Sequence, residues 1–281
     1  MKINLGRGIE SFRIAMEIAK KDLIIEVRYP LELVFWGVVP VLWVMPFILA
    51  GIAISGGYQS GILGSAIGSG DFIQFIVIGA VIYSYVGSAI WGMANALRWE
   101  QYTGTLESLY LSPATRFSIL LGGSLSRAVT ATIQAAIQFV IFAMVFSIWY
   151  PIEALLPVML LVVLMITSFQ GFAFLLAAVI MLLKDPDVLN DFLSSLIYLI
   201  SPVNYPLTAI PVYLRALSLI IPLTYTLIGA RAILMAVPAM FTLEEIILIL
   251  ACLTAMFWIL GYSVFVIAEH WTKRIGKLGT Y

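Results

Sequence analysis

The chain has 281 residues, 15 basic and 15 acidic side chains, and a formal net charge of zero; 62% of it is hydrophobic and only 11% is charged. Soluble domains usually carry about 25% charged residues, so a mean hydropathy of +1.07 excludes an ordinary water-soluble domain, and the balanced charge gives no bulk attraction to nucleic acid. A single cysteine, Cys252, excludes an intrachain disulfide framework and a thiolate metal cluster.

In chain order, residues 1–30 come first. Ile9, Phe12, Met16, Ala19 and Leu23 recur at steps of three and four, with Glu10, Arg13, Glu17, Lys20 and Lys21 off that stripe. This pattern predicts an amphipathic interfacial helix lying in the membrane surface, either as an anchor or as a partner contact. The segment is charged throughout and lacks the apolar core of a signal peptide. Tyr29-Pro30 then turns the chain, because a residue before proline disfavours the helical region.

Long uncharged runs come next: Leu33 to Gly70, Phe72 to Leu97, Ala128 to Ile152, Ala154 to Leu183, Phe192 to Leu214 and Ile246 to Ala268. A helical crossing needs roughly 20 apolar residues. The runs predict six transmembrane helices at about 33–54, 72–97, 117–148, 154–183, 190–210 and 245–268. Barrel strands are shorter and alternate, so the fold class is an all-α integral membrane protein, in which helices satisfy their own backbone groups.

Lys and Arg sort by loop. Lys2, Arg7, Arg13, Lys20, Lys21 and Arg28 precede the first span; Arg98, Arg116 and Lys184 lie in later loops; Lys273, Arg274 and Lys277 lie in the tail at 271–281. The loops at Ser55 to Gly70 and Trp149 to Glu153 hold none. The positive-inside rule places both termini and the loops at 98–116 and 184–191 in the cytoplasm.

Between the fifth and last spans the pattern breaks, with prolines at 202, 206, 211, 222 and 238. The pieces between the last three are too short to cross alone, and they carry Arg215 and Arg231, which are costly in open lipid. Residues 211–238 are predicted to form a re-entrant pair of half-helices; a proline-kinked span with a snorkelling arginine is the alternative.

Reactive constellations are absent from the sequence. The one histidine, His270, stands beside Trp271 at the end of the last span. No Gly-x-x-x-x-Gly-Lys-[Ser/Thr] run occurs, so the chain has no P-loop for ATP. No metal site is expected. Within the spans, Arg127, Gln134 and Gln138 fall on one face of the third helix, and Asn95 and Gln170 lie in the second and fourth. Such groups either hydrogen-bond helix to helix or line a translocation path.

The insert "RWEQYTGTLESLYLSPAT" (Arg98 to Thr115) separates spans two and three. After Gly104, Leu106, Leu109 and Tyr110 share one side of a short helix that Ser112-Pro113 ends. A cytoplasmic helix between spans is either a lever for a partner or a solvated connector.

"GTLESLYLSP" (Gly104 to Pro113) resembles the GTLE-x-L-x-x-SP signature of type-2 ABC transporter permeases, in the drug and antibiotic exporter branch. "YPLTAIPVYLRALSLIIPLTYTLIGARAILM" (Tyr205 to Met235) resembles that family's second signature, with Ile221 where asparagine is common and Tyr213 where tryptophan is common. The resemblance covers essentially the whole chain, with the permease domain at 31–270. It implies a permease subunit in the cytoplasmic membrane of a prokaryote. Its partners would be a second, identical or related, permease and a separate ABC-type ATPase subunit that holds ATP and Mg. It implies ATPase coupling by Gly104, Thr105, Leu106, Glu107 and Leu109, with the loop carrying Lys184 and Asp185 and the N-terminal helix as further docking candidates. It also implies an outer gate containing Pro211, Arg215, Pro222, Tyr225 and Arg231. The implied cargo is a drug-like, antibiotic or lipid amphiphile; alternatives are a lipid-linked polysaccharide, or a secondary transporter acting alone.

Overall fold

The computed structural model describes residues 5–102, 115–180 and 186–275, with side chains at 10–92, 115, 117–179, 187–268 and 270. Its elements are helices: α1 (Leu5–Val27), α2 (Pro30–Ser55), α3 (Gly61–Ile67), α4 (Phe72–Tyr102), α5 (Arg116–Phe146), α6 (Ile152–Ile180), α7 (Pro186–Ile200), α8 (Val212–Ser218), α9 (Pro222–Leu234) and α10 (Leu243–Ile275), with a 3-10 turn at Leu207–Ala209. Among the described residues the only β feature is a bridge between Gln59 and Asp71. This is an all-α, multi-pass membrane architecture.

Among the described residues five helices are long and apolar enough to cross a bilayer: α2, α4, α5, α6 and α10. The pair α8 and α9 is bent by 93° and brings the number to six if it counts as one broken span. The fifth predicted span, 190–210, takes a different form. Its helix α7 has 15 residues and ends at Ile200, about 22 Å of rise against a hydrocarbon core of about 30 Å. Pro202 explains the stop: Ser201 before it is steered away from helical geometry. The chain from Ser201 to Pro211 continues without an α-helix.

Local signals match the helix starts. Ser60 and Thr115 accept hydrogen bonds from the amides of Leu63 and Ser118, and Thr242 and Glu245 form a reciprocal capping box at the start of α10. Pro222 occupies the first turn of α9, where its missing N–H costs nothing.

Packing begins with two crossings. Helices α6 and α10 run side by side so closely that a Cβ on Gly261 would sit 2.1 Å from the Gly171 carbonyl oxygen. Small residues allow this approach; the Ser168 and Thr254 hydroxyls hydrogen-bond, and the Trp258 indole donates to the Thr167 carbonyl at 2.9 Å. A second layer joins α4, α6 and α9 through Ile82, Val86, Met165, Phe169, Leu223 and Leu227.

The N-terminal helix divides its apolar stripe. Ala15 and Ala19 are buried, and a Cβ on Gly122 of α5 would lie 2.6 Å from the Ala15 carbonyl oxygen. Phe12 and Met16 are exposed. α1 therefore packs on α5 through Ala15 and Ile18, and leaves Phe12 and Met16 of the predicted stripe to the surroundings. Periodicity alone placed all five on one face because it measures polarity, whereas close helix packing selects for size.

Candidate functional site

Three clusters were expected from the sequence. Of the coupling cluster, Gly104, Thr105, Leu106, Glu107, Leu109, Lys184 and Asp185 lie outside the described residues. Their segments join the end of α4 to the start of α5, and the end of α6 to the start of α7.

The polar residues of the spans do not converge on one cavity. Asn95 lies in α4 with its side chain outside the described set. Arg127 is half exposed; its Nη1 stands 3.5 Å from Glu26 Oε1 of α1. Its methylenes pass over Gly92 of α4, where a Cβ would approach Arg127 Cγ to 2.8 Å. Thr130 donates to Glu26 Oε2, and the Ser88 hydroxyl donates to the Arg127 carbonyl at 2.9 Å. Arg127 thus joins α1, α4 and α5. Gln134 is partly buried. Gln138 is buried with neither end of its amide partnered. Gln170 lines a crevice with Tyr85, Ser88 and Ser124 of about 10 Å³, enough for about one water. Sequence spacing put Arg127, Gln134 and Gln138 on one face, but different neighbours cover that face along its length.

The third cluster surrounds the non-helical linker after α7. Non-helical backbone at membrane depth persists only if its polar groups are satisfied by protein or water. Arg231 of α9 is 5% exposed and donates to the carbonyls of Pro202 and Val203, and at 2.9 Å to that of Phe75 in α4. Its guanidinium carbon lies 3.4 Å from the centre of the Phe75 ring. Gly79 is the space that admits this arrangement, since a Cβ there would fall 2.1 Å from the Val203 oxygen and 2.8 Å from Arg231 Nη2. From the other end of the linker, Arg215 donates to the carbonyls of Thr208 and Ile210 at 3.0 and 3.2 Å. Pro211 precedes α8 and Pro222 opens α9. The turn between them is held by the Thr224 hydroxyl donating to the Ser218 carbonyl at 2.7 Å. Tyr225 is buried against Phe241, ring centres 5.7 Å apart. The two arginines thus fasten the linker through the carbonyls of Pro202, Val203, Thr208 and Ile210.

Two features escaped the sequence reading. One is a cleft of about 430 Å³ lined by Tyr58, Asp71, Gln74 and Ser147. There Asp71 accepts from the Gln74 amide and side chain at 3.1 and 2.8 Å, and the Tyr150 hydroxyl donates to Gln74 Oε1 at 3.2 Å. Burial, and then the Asp71 charge, push the Tyr150 hydroxyl pKa up, so it stays a neutral donor. The other is the inner face of α7. Asn190, Ser194 and Tyr198 recur every four residues, followed by Ser201 and Asn204, a signal present in "NDFLSSLIYLISPVN". The Tyr83 hydroxyl of α4 donates to the Ser194 carbonyl at 2.8 Å, the Tyr83 and Tyr198 rings meet edge-on at 4.9 Å, and the Asn204 amide donates to the Tyr198 hydroxyl.

The family model described as ABC-2 type transporter matches residues 31–235. The chain belongs to this family. The match runs from the start of α2 to the end of α9 and takes in the linker fastened by Arg231. No curated protein matches the chain. As an ABC-2 protein it is a transmembrane permease subunit of an ABC transporter. Among the described residues no group of three His, Cys, Asp or Glu side chains is placed to hold a metal.

Proposed function

We infer that this permease subunit exports an amphiphile, drug-like, antibiotic or lipid, across the cytoplasmic membrane of a prokaryote. A separate ABC-type ATPase, which binds ATP and Mg, drives it, and a second permease completes the pathway. The family match over 31–235 carries the reading, and the lack of a P-loop in the sequence supports a separate ATPase. In the chain, Gly104 to Leu109 lies between α4 and α5, and Lys184–Asp185 between α6 and α7. An ATPase bound there pushes on α4, α5, α6 and α7 together, and on α1 through Ala15, Ala19 and Glu26. At the opposite end, the bent pair α8–α9, with Pro211, Arg215, Pro222, Tyr225 and Arg231, closes the outer mouth.

The test is purification of the tagged chain from its native host in mild detergent, followed by reconstitution in lipid and an ATP-turnover assay. Recovery of a soluble P-loop ATPase in near-equal amount, with turnover, is expected. A chain that emerges alone and transports without ATP refutes the proposal in favour of a secondary transporter.

A further inference from the structure

Nine buried side-chain polar atoms lack a hydrogen-bond partner among the described residues, and five of them fall between residues 190 and 204: both ends of the Asn190 amide, the hydroxyls of Ser194 and Ser201, and Asn204 Oδ1. Asn190 and Ser201 are fully buried. An unpartnered buried polar atom costs free energy comparable to a lost hydrogen bond, and more so away from water. A helix selected only for packing would carry leucine or alanine at these places. The unmet capacity is concentrated on α7 and the residues just after it, at the seam where α7 packs on the α4 side that holds Tyr83.

We propose that this seam binds the head group of the transported molecule, and that the head group is uncharged and rich in hydroxyl or amide groups. The inference rests on the export reading above. None of the residues with unmet capacity carries a charge: Asn190, Ser194, Ser201 and Asn204, with Tyr198 among them, offer neutral donors and acceptors only. The nearest charge on that face, Asp187 one turn before Asn190, already has an interaction within the chain. A cationic or anionic head entering there would be desolvated without a counter-charge. From Asn190 to Ser201 the seam runs about 16 Å at helical rise, room for an elongated head with several hydrogen-bonding groups. Tyr83 holds it shut in this structure. Opening exchanges the Tyr83–Ser194 bond and the Tyr83–Tyr198 ring contact for bonds to the ligand. The opposite face of α7 exposes Val188, Phe192 and Leu199 with Asp191 and Ser195 between them, so its polar groups are open rather than buried and unpartnered.

The experiment uses the full chain in lipid nanodiscs with a diazirine-bearing octyl maltoside, and maps photolabelled peptides by mass spectrometry. Labelling is expected within 190–204 and on the α4 segment around Tyr83. Excess octyl maltoside or N-octanoyl-dialanine amide should displace it, and whichever competes better tells hydroxyl from amide heads. Octyltrimethylammonium and octyl sulfate at equal concentration should not displace it. Asn190→Leu and the milder Ser194→Ala should each lower labelling there by about tenfold, the loss of roughly one net hydrogen bond, with thermal stability unchanged or raised. Equal displacement by the charged amphiphiles, labelling confined to exposed apolar residues such as Trp43, or variants that label like the parent each overturns the proposal. None of these readouts involves an ATPase. A failed head-group preference is therefore separable from failed recovery of an ATPase, which strikes the export reading alone.

Discussion

Replacing Arg231 by leucine removes the donor that satisfies the carbonyls of Pro202 and Val203. The Phe75 carbonyl also loses a bond, but it lies inside α4, where the helix itself still supplies a partner. The two linker carbonyls have no such reserve. Each buried unsatisfied group costs about 1–3 kcal/mol, so the pair costs about 2–6 kcal/mol. Removing the buried charge returns part of its own desolvation cost, which places the net loss toward the lower half of that range. For a chain of this size that corresponds to a fall in unfolding midpoint on the order of 5–10 °C, read by fluorescence-detected size exclusion after heating in detergent. Arg231→Lys should fall between, because an ammonium reaches fewer carbonyls at once than a planar fork. Gly79→Ala should reproduce the defect from the opposite side, since its Cβ would press on the Val203 oxygen at 2.1 Å. If Arg231→Leu melts within about 2 °C of the parent, the linker draws its order from somewhere else and the fastening argument is wrong.

Gly261→Val should separate α6 from α10, because the new Cβ would sit 2.1 Å from the Gly171 carbonyl oxygen; loss of a monodisperse elution peak is the expected outcome. Gly122→Leu should lift α1 from α5 by collision with the Ala15 carbonyl and Ile18, raising the labelling rate of a cysteine placed at Ala19, while Gly57→Ala, with open space around it, should leave that rate unchanged. Glu26→Gln should weaken the contact to Arg127 and Thr130 and, the pair being part-exposed, lower the melting midpoint by no more than about 2 °C; a larger fall would show that the tie carries more than a surface pair. Glu107→Lys should uncouple ATP hydrolysis from transport in the reconstituted complex while the bundle stays folded; unchanged rates of both remove Glu107 from the coupling role.

Much of the architecture was legible because membrane insertion depends on length and polarity, both local properties. Helices α2, α4, α5, α6 and α10 begin and end near the predicted limits, since charges and prolines bound them. The fifth span was drawn too long because "SPVNYPLTAIP" is as apolar as a helix. Hydropathy does not register that Pro202 ends α7, nor that a distant arginine stabilises the linker beyond it. Arg127 was grouped with Gln134 and Gln138 by angle alone, and Glu26, a hundred residues earlier in the chain, gives it a different neighbour.

By itself the sequence determined the solvent, the helical class, the absence of a P-loop and the two family signatures, because these depend on composition and on residues adjacent in the chain. Only the tertiary structure decided where the lone charges and neutral polar groups go. Arg231 became a fastener because residues 75, 202 and 203 meet around it. Asn190 became unpartnered because the described elements that bury it offer its amide no bond. In a low-dielectric interior a polar side chain is defined by its partners, and those partners are set by folding across long stretches of chain.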